Sequence, residues 1–146
     1  MPTELDFDAD AERVLGAARE LADARGEARV GAHLLLVALA HHGGATVQTA
    51  LAGLGLSPDV ADTWLAQAIG PLRVRSPLDT AAPYAERTSV ILGIARAEAA
   101  TAGAASVRAA DLLLGLVREP HSSRGAAGAY LHELGGTYDQ LKARVR

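Results

Sequence analysis

The chain has five histidines, the side chains best suited to metal binding or to proton transfer near neutral pH: His33, His41, His42, His121 and His132. His41 and His42 are adjacent and so point to different faces of a helix, which rules out the His-x-x-x-His pair of a helical zinc site. The chain has no cysteine, so thiolate ligands and disulfides are excluded. We therefore expect no metal site and no metal cofactor.

The residues that could act as nucleophiles or bind phosphate are also poorly placed for catalysis. Ser122 and Ser123 follow His121 in a loop, but three neighbours in sequence do not form a triad, and no Gly-x-Ser-x-Gly motif is present. The only lysine, Lys142, has no glycine-rich loop before it, which excludes a P-loop. The sequence predicts no catalytic residue, no cofactor and no enzyme.

Two arginines, Arg19 and Arg96, lie 77 residues apart, each three residues after a glycine, Gly16 or Gly93. Paired guanidinium groups could clamp a carboxylate or a phosphate, although such arginines more often face solvent. A glycine inside a helix costs roughly 1 kcal/mol relative to alanine. Its use at two equivalent positions suggests close approach of two helices, or a concave floor that a ligand's backbone reaches; simple tolerance in an Ala- and Gly-rich sequence is the alternative.

The spacing of 77 residues is part of an internal repeat. AHLLLVALAHH at 32–42 matches AADLLLGLVRE at 109–119, and 12 of 36 positions are identical between 7–42 and 84–119. The match resumes at a spacing of 80, where Leu51-x-x-Leu54-Gly55 meets a second Leu-x-x-Leu-Gly at 131–135. One departure is that Leu21 is matched by Glu98. The sequence therefore predicts duplication of one unit.

Each unit has the pattern of four helices. Leucines and alanines at helical spacing predict helices from Asp8 or Asp10 to Gly26, over 32–42, over 46–54 and from Ser57-Pro58 to Ile69. The scheme recurs in a fifth helix around Ile91 and Leu92, then over 109–119, over 125–134 and from Thr137 to 145. Residues 70–83 carry three prolines and predict a linker. We expect one all-α domain of eight helices, with two repeats (7–69 and 84–146) related by a pseudo-twofold axis.

Composition narrows the class of protein. A length of 146 residues suits a single domain, and a net charge of −3 with a pI near 5.9 gives no reason to expect nucleic acid or an anionic membrane as partner. No apolar run reaches the ~18 residues of a membrane span. The N-terminus, MPTELDFDAD, lacks the order of a signal peptide. A cytoplasmic location is expected.

The doubled order of elements resembles the N-terminal double-repeat domain of the Clp/Hsp100 unfoldases, closest to the ClpC type. The matching pieces are FDADAERVLGAARELADARG, VGAHLLLVAL and ALAGLGLS, then PYAERTSVILGIARAEAATAG, AADLLLGLVRE and YLHELGG. The resemblance implies a non-enzymatic docking module for adaptors, substrate degrons and, in actinobacterial relatives, cyclic-peptide antibiotics. In that family the module precedes a Clp ATPase ring, so this chain would be a domain excerpt or a free-standing homologue.

The resemblance also indicates where this chain differs. Family members usually carry Gly-Thr-Glu-His before each Leu-rich helix, and in some of them the glutamates contact phosphoarginine. Here His33 and Ala110 occupy the two glutamate positions. Their loss removes acceptors for a guanidinium and argues against phosphoarginine recognition.

The resemblance places the ligand surface between the first and fifth helices. We expect apolar contact there from Leu15, Leu92 and Tyr84, and a preference for acidic groups from Arg19 and Arg96. The same surface includes Gly16, Pro83 and Ser89. The leading hypothesis is a docking module for peptides, degrons or adaptors, which as a free-standing protein could act as a decoy that holds degrons or antibiotics away from an unfoldase. The alternatives are a biosynthetic-cluster enzyme or small-molecule-binding protein that reuses the fold, and a structural dimerisation unit.

Overall fold

The structure is a computed structural model, which describes residues 6–27, 29–69, 86–118 and 126–145. Within these ranges the chain is helical and contains no strand, which confirms the predicted all-α class. The helices are α1 (Ala9–Arg25), α2 (Ala32–His42), α3 (Gly44–Ala52), α4 (Pro58–Trp64), α5 (Glu86–Thr101), α6 (Ala109–Arg118), α7 (Ala126–Glu133) and α8 (Tyr138–Val145). The predicted linker at 70–83 lies outside the described residues.

The helices begin and end where local chemistry favours it. Asp8 caps α1, since its side chain accepts a hydrogen bond from the Ala11 N–H at 2.8 Å. α1 ends at Gly26, whose φ of +74° is a left-handed conformation that favours glycine. Ser57 caps α4 and Thr137 caps α8 in the same way, at positions that the repeat makes equivalent. The predicted caps at Asp8, Ser57 and Thr137 are therefore confirmed.

The fourth helix differs from its prediction. The sequence indicates one helix from Ser57 to Ile69, but the α-helix ends at Trp64 and continues as a π-helical turn, Leu65–Ile69. A π turn bonds i to i+5, and it is rare enough that hydrophobic spacing alone does not reveal it. α3 also begins earlier than predicted, at Gly44.

The core is built around the two Leu-rich helices. Every residue from Leu34 to Ala40 in α2 and from Ala109 to Val117 in α6 is buried. α1 packs on α2, α5 packs on α6, and α2 and α6 contact each other at the centre. Burying both central helices in one core removes more apolar surface from water than either repeat could alone.

The two repeats also interlock at their edges. Backbone hydrogen bonds join Asp8 N–H to the Val107 carbonyl at 2.8 Å and Val107 N–H to the Asp6 carbonyl at 2.7 Å. The segment before α1 thus pairs with the segment before α6. On another side, Trp64 stacks on Tyr130 with ring centroids 4.8 Å apart and ring planes 2° from parallel. Both contacts join repeat one to repeat two.

α5 and α6 approach each other closely at Gly115. A Cβ at this position would lie 2.7 Å from the Ile91 carbonyl oxygen and 3.1 Å from the Ala95 backbone nitrogen. Only glycine lets the α5 backbone lie this near. Ala38 occupies the equivalent position in α2 and is buried. At this position of repeat one, therefore, the packing accommodates a methyl group.

No single helix among the described residues is long and apolar enough to span a membrane. α2 and α3 reach the threshold only when taken together, and they are bent by 107° at their junction.

Candidate functional site

The surface predicted from sequence, here called the α1–α5 surface, consists of Leu15, Gly16 and Arg19 on α1 with Ser89, Leu92 and Arg96 on α5. Leu15 and Leu92 are buried, with 4% and 6% of their surfaces exposed. Their apolar contact with a ligand is therefore limited to the small area that each leaves accessible. Arg19 and Ser89 are exposed, and Gly16 is half-buried. Pro83 and Tyr84 lie outside the described residues.

Arg19 and Arg96 are in different environments although the repeat makes them equivalent. Arg19 is exposed, whereas Arg96 is half-buried with its guanidinium carbon 5.1 Å from the centre of the Phe7 ring. A guanidinium over an aromatic face is a favourable cation–π arrangement. Arg96 therefore holds the segment before α1 against α5, and the more accessible cation of the pair is Arg19. Phe7 itself packs on the core of the domain.

Gly16 and Gly93 are not explained by helix packing. A Cβ at either position would meet no described atom within 4 Å. α1 packs mainly on α2, and α5 mainly on α6, rather than on each other. Close approach of two helices, one of the two reasons proposed from sequence, is therefore wrong for this pair. Their lack of side chains leaves two patches of helix backbone uncovered.

Two of the four described histidines, His33 and His41, pair with carboxylates. His41 Nε2 lies 2.8 Å from Asp62 Oδ1, and His33 Nε2 lies 2.8 Å from Glu27 Oε1. In the ranges that the structure describes, no three His, Asp or Glu side chains are grouped closely enough to hold a metal ion. His121, Ser122 and Ser123 lie outside those ranges.

A pocket of about 420 Å³, here called the repeat-one pocket, opens between α1, α2 and α4. Its floor is apolar, and its rim carries two carboxylates and two imidazoles. The lining residues are Ala17, Glu20, Leu21, Ala24, Val37, Ala38, His41, His42 and Asp62. The sequence does not predict this pocket, because its residues come from three helices and hydrophobic spacing along each helix does not specify how the helices pack together.

A second pocket, of about 220 Å³, is polar and lies where the first turns of α1, α3 and α6 meet. Asp8, Asp10, Arg108 and Ala110 are among its lining residues. Arg108 donates to Asp111 at 3.0 and 3.1 Å, and this hydrogen bonding raises the pKa of Arg108. Ala110 stands at a family glutamate position, so that position contributes no carboxylate here.

A third hollow, of about 370 Å³, lies beside the stacked rings of Trp64 and Tyr130 and is also lined by Asp59, Val60, Thr63 and Gln67. Val60 is 40% exposed, which is unusual for a large apolar side chain in this chain. Burial raises the pKa of the Tyr130 phenol, and the Glu133 carboxylate raises it further. The stacking contact joins α4 of one repeat to α7 of the other, and helical spacing alone does not predict it.

In repeat two, a buried carboxylate is held by two donors. Glu98, 2% exposed, accepts hydrogen bonds from Arg118 Nη1 at 2.6 Å and from the Tyr138 hydroxyl at 2.7 Å. The Tyr138 ring also lies under Arg118 and Lys142, at 5.3 and 5.6 Å from its centre. This cluster explains the departure seen in the repeat: Glu98 replaces Leu21 because it has partners that Leu21 lacks.

Comparison with known protein families defines the class to which this chain belongs. The chain matches the family model of the Clp repeat (R) N-terminal domain over residues 6–134. It therefore belongs to the Clp N-terminal domain family, which confirms the resemblance inferred from the doubled sequence pattern. Comparison with curated protein sequences gave no significant match.

Solved structures share the fold at low sequence identity. The N-terminal domain of the caseinolytic protease associated chaperone ClpD from Arabidopsis thaliana is 21% identical, with a TM-score of 0.66, and the match covers 95% of this chain and 94% of that one. The Hsp104 N-terminal domain from Candida albicans is 16% identical, with a TM-score of 0.68 and coverages of 96% and 89%. A structure from investigations of a malarial protein secretion system is 19% identical, with a TM-score of 0.72, and the match covers 96% of this chain and 92% of that one. At these identities the likeness shows the fold alone.

Proposed function

We propose that this chain is a non-catalytic docking module of the Clp proteolytic system that receives peptide segments, such as degrons or the tails of adaptor proteins, on its α1–α5 surface. The observation that carries the proposal is family membership over residues 6–134. One of the compared structures is the N-terminal domain of a protease-associated chaperone. In this role the chain would bind peptide segments before a Clp ATPase acts on them, so a Clp ATPase is the expected partner.

The geometry of the α1–α5 surface supports peptide binding. A Cβ at Gly16 or at Gly93 would meet no described atom within 4 Å, so the backbone of each helix is open to a peptide at that position. Exposed Arg19 offers a guanidinium to a carboxylate, and exposed Ser89 offers a hydroxyl. We expect Pro83 and Tyr84 to border the same surface and to supply the larger apolar contact, since Leu15 and Leu92 are mostly buried.

The same surface would suit a cyclic-peptide antibiotic, because such a ligand also presents backbone amides and apolar side chains. A chain of this kind that is separate from an ATPase would act as a decoy, holding degrons or antibiotics away from the unfoldase. Both roles need only reversible binding at the α1–α5 surface.

Calorimetric titration with a cyclic-peptide ligand of Clp N-terminal domains tests the proposal. Tyr84→Ala removes the expected aromatic contact, and Gly16→Leu places a side chain over the open backbone. We expect each to weaken binding by about tenfold or more. Ala143→Leu, an equally bulky change at an exposed position of α8, is the matched control and should leave binding unchanged. No binding by the wild type, or binding indifferent to the first two changes, would contradict the proposal.

A second candidate function, small-molecule binding or catalysis by a protein that reuses the fold, is favoured by one observation. The repeat-one pocket combines an apolar floor with a polar rim, as small-molecule sites usually do. Thermal-shift screening with small apolar acids and amines would support this candidate if a hit were lost in Ala17→Phe, which fills the pocket. It would count against this candidate if no compound stabilised the wild type.

A further inference from the structure

We propose a second recognition site in this chain: the repeat-one pocket receives an aromatic side chain of a peptide that carries a basic residue beside it. The inference rests on the proposed docking function only for the peptide nature of the ligand. The site itself is centred on a different side of α1, because Ala17 and Leu21 lie about 100–160° around the helix from Gly16 and Arg19 at 3.6 residues per turn.

The internal repeat shows what the pocket can hold. Tyr138 contacts three residues in repeat two: Glu98 through its hydroxyl, and Arg118 and Lys142 through its ring. At the repeat spacings of 77 and 80, their equivalents in repeat one are Leu21, His41 and Asp62. All three of these residues line the repeat-one pocket. The pocket therefore occupies the place that an aromatic ring fills in repeat two.

Among the residues that the structure describes, none in repeat one places a ring here. The residue equivalent to Tyr138 is Pro58, which directly follows the Ser57 cap just as Tyr138 follows the Thr137 cap. A proline side chain is too short to reach where the tyrosine ring lies. The cavity of about 420 Å³ is thus a ring site that the described residues leave open, with room for the peptide backbone that would bring a ring in.

The walls of the pocket favour an apolar ring over a polar head group. Val37 and Ala38 are buried and form the floor, and Ala17 and Leu21 pack partly against the core. Leu21 replaces the carboxylate that accepts the Tyr138 hydroxyl in repeat two. A phenylalanine ring would therefore leave no buried hydroxyl without a partner, whereas a tyrosine hydroxyl would have to reach the rim.

The charge at the rim of the pocket determines which residue the peptide should carry next to its aromatic residue. In repeat two, the cations Arg118 and Lys142 cover the tyrosine ring, but their counterparts in repeat one are His41 and Asp62. Asp62 is 54% exposed and 2.8 Å from His41, and exposed Glu20 adds a second carboxylate. A peptide that places an arginine or lysine next to its aromatic residue would pair with these carboxylates and supply the cation that repeat one lacks.

A titration monitored by ¹H–¹⁵N NMR tests this inference, since NMR detects the weak binding of small probes. The probe is the capped dipeptide Ac-Phe-Arg-NH₂, and the matched probes are Ac-Ala-Arg-NH₂ and Ac-Phe-Glu-NH₂. We expect the first to shift the amide signals of Leu21, Val37 and Ala38, and to bind at least about fivefold more tightly than either matched probe. Shifts confined to other parts of the chain, or equal binding of all three probes, would overturn the inference.

Two variants of one residue sharpen the test. Pro58→Tyr introduces at the equivalent position the side chain that fills the site in repeat two, and it should reduce probe affinity by about tenfold or more. Pro58→Ala removes the proline without adding a ring, and should bind as the wild type does. If Pro58→Tyr fails to fold, Ala17→Phe fills the pocket from α1 and carries the same expectation. Undiminished binding in the variant that folds would overturn the inference.

The two proposed sites are separable in these experiments. Gly93→Leu, which covers the open backbone of α5, should weaken cyclic-peptide binding and leave the dipeptide titration unchanged, because α5 does not line the repeat-one pocket. Pro58→Tyr should leave cyclic-peptide binding at the α1–α5 surface unchanged. Failure of cyclic-peptide binding together with normal dipeptide binding would remove the proposed function but retain the repeat-one site. The opposite result would remove only the repeat-one site.

Discussion

Glu98 illustrates how a single residue can specify the arrangement of three helices. Its carboxylate on α5 is buried and accepts hydrogen bonds from Arg118 on α6 and Tyr138 on α8. A buried carboxylate is tolerated only when donors replace the water that it has lost. The two donors therefore fix how α8 lies against α5 and α6. The hydrogen bond to Glu98 also raises the pKa of Arg118.

Tyr138→Phe tests this arrangement. The change removes one hydrogen bond to a charged acceptor but keeps the ring, so we expect the free energy of unfolding to fall by about 1.5–3 kcal/mol. In a Glu98→Leu background, which restores the residue found in repeat one, the same change should cost less than about 0.5 kcal/mol. Urea unfolding followed by circular dichroism measures both values. Equal costs in the two backgrounds would show that the hydrogen bond does not contribute.

At the scale of single residues, the sequence predicted which positions are unusual but not what they contact. The mismatch of Glu98 with Leu21 is visible in the repeat, and so are the paired glycines. That Arg118 and Tyr138 meet Glu98 depends on contacts across 20 and 40 residues, which spacing along one helix does not encode. The same limit applies to Trp64 and Tyr130.

The helices differ in how closely they approach their neighbours at their glycine positions. Gly115 sits where α6 touches the α5 backbone, whereas Gly16 and Gly93 face open space. The same residue type is thus required by packing in one helix and by nothing in the described structure in two others. Two reasons remain for the second kind: contact with a ligand's backbone, which is the proposal made for the α1–α5 surface, and simple tolerance in an Ala- and Gly-rich sequence.

Matched glycine-to-alanine changes distinguish these roles. Gly115→Ala should lower the free energy of unfolding by about 1–3 kcal/mol, because the methyl group must displace the α5 backbone. Gly16→Ala and Gly93→Ala should each raise it by about 0.5–1 kcal/mol through helix propensity. Thermal and urea unfolding of the three variants measure these effects. A stabilising effect of Gly115→Ala would contradict the packing described for α5 and α6.

The helices were predictable because hydrophobic spacing and capping residues act locally. Asp8, Ser57 and Thr137 begin their helices through hydrogen bonds within four residues, and Gly26 ends α1 through its own backbone conformation. The π turn after Trp64 was not predictable, because π turns are rare and occur mostly as single turns within α-helices.

The whole molecule depends on contacts between its two repeats. The segment before α1 pairs with Val107 of repeat two, α2 and α6 share one core, and Trp64 stacks on Tyr130. The sequence revealed the duplication and, through its resemblance, the family. It did not reveal how the copies diverged in three dimensions: one keeps an aromatic ring inside, and the other leaves a pocket. That divergence is where a duplicated fold can acquire a second binding site.

The central claim is that α1 and α5, one from each repeat, present a single surface that receives peptide ligands. The most direct measurement is a ¹H–¹⁵N NMR map of the whole chain during titration with a cyclic-peptide ligand of Clp N-terminal domains. We predict that the amide signals of Gly16, Arg19, Ser89 and Gly93 shift together along one saturation curve. Shifts confined to one repeat, or no shifts at saturating ligand, would contradict the claim.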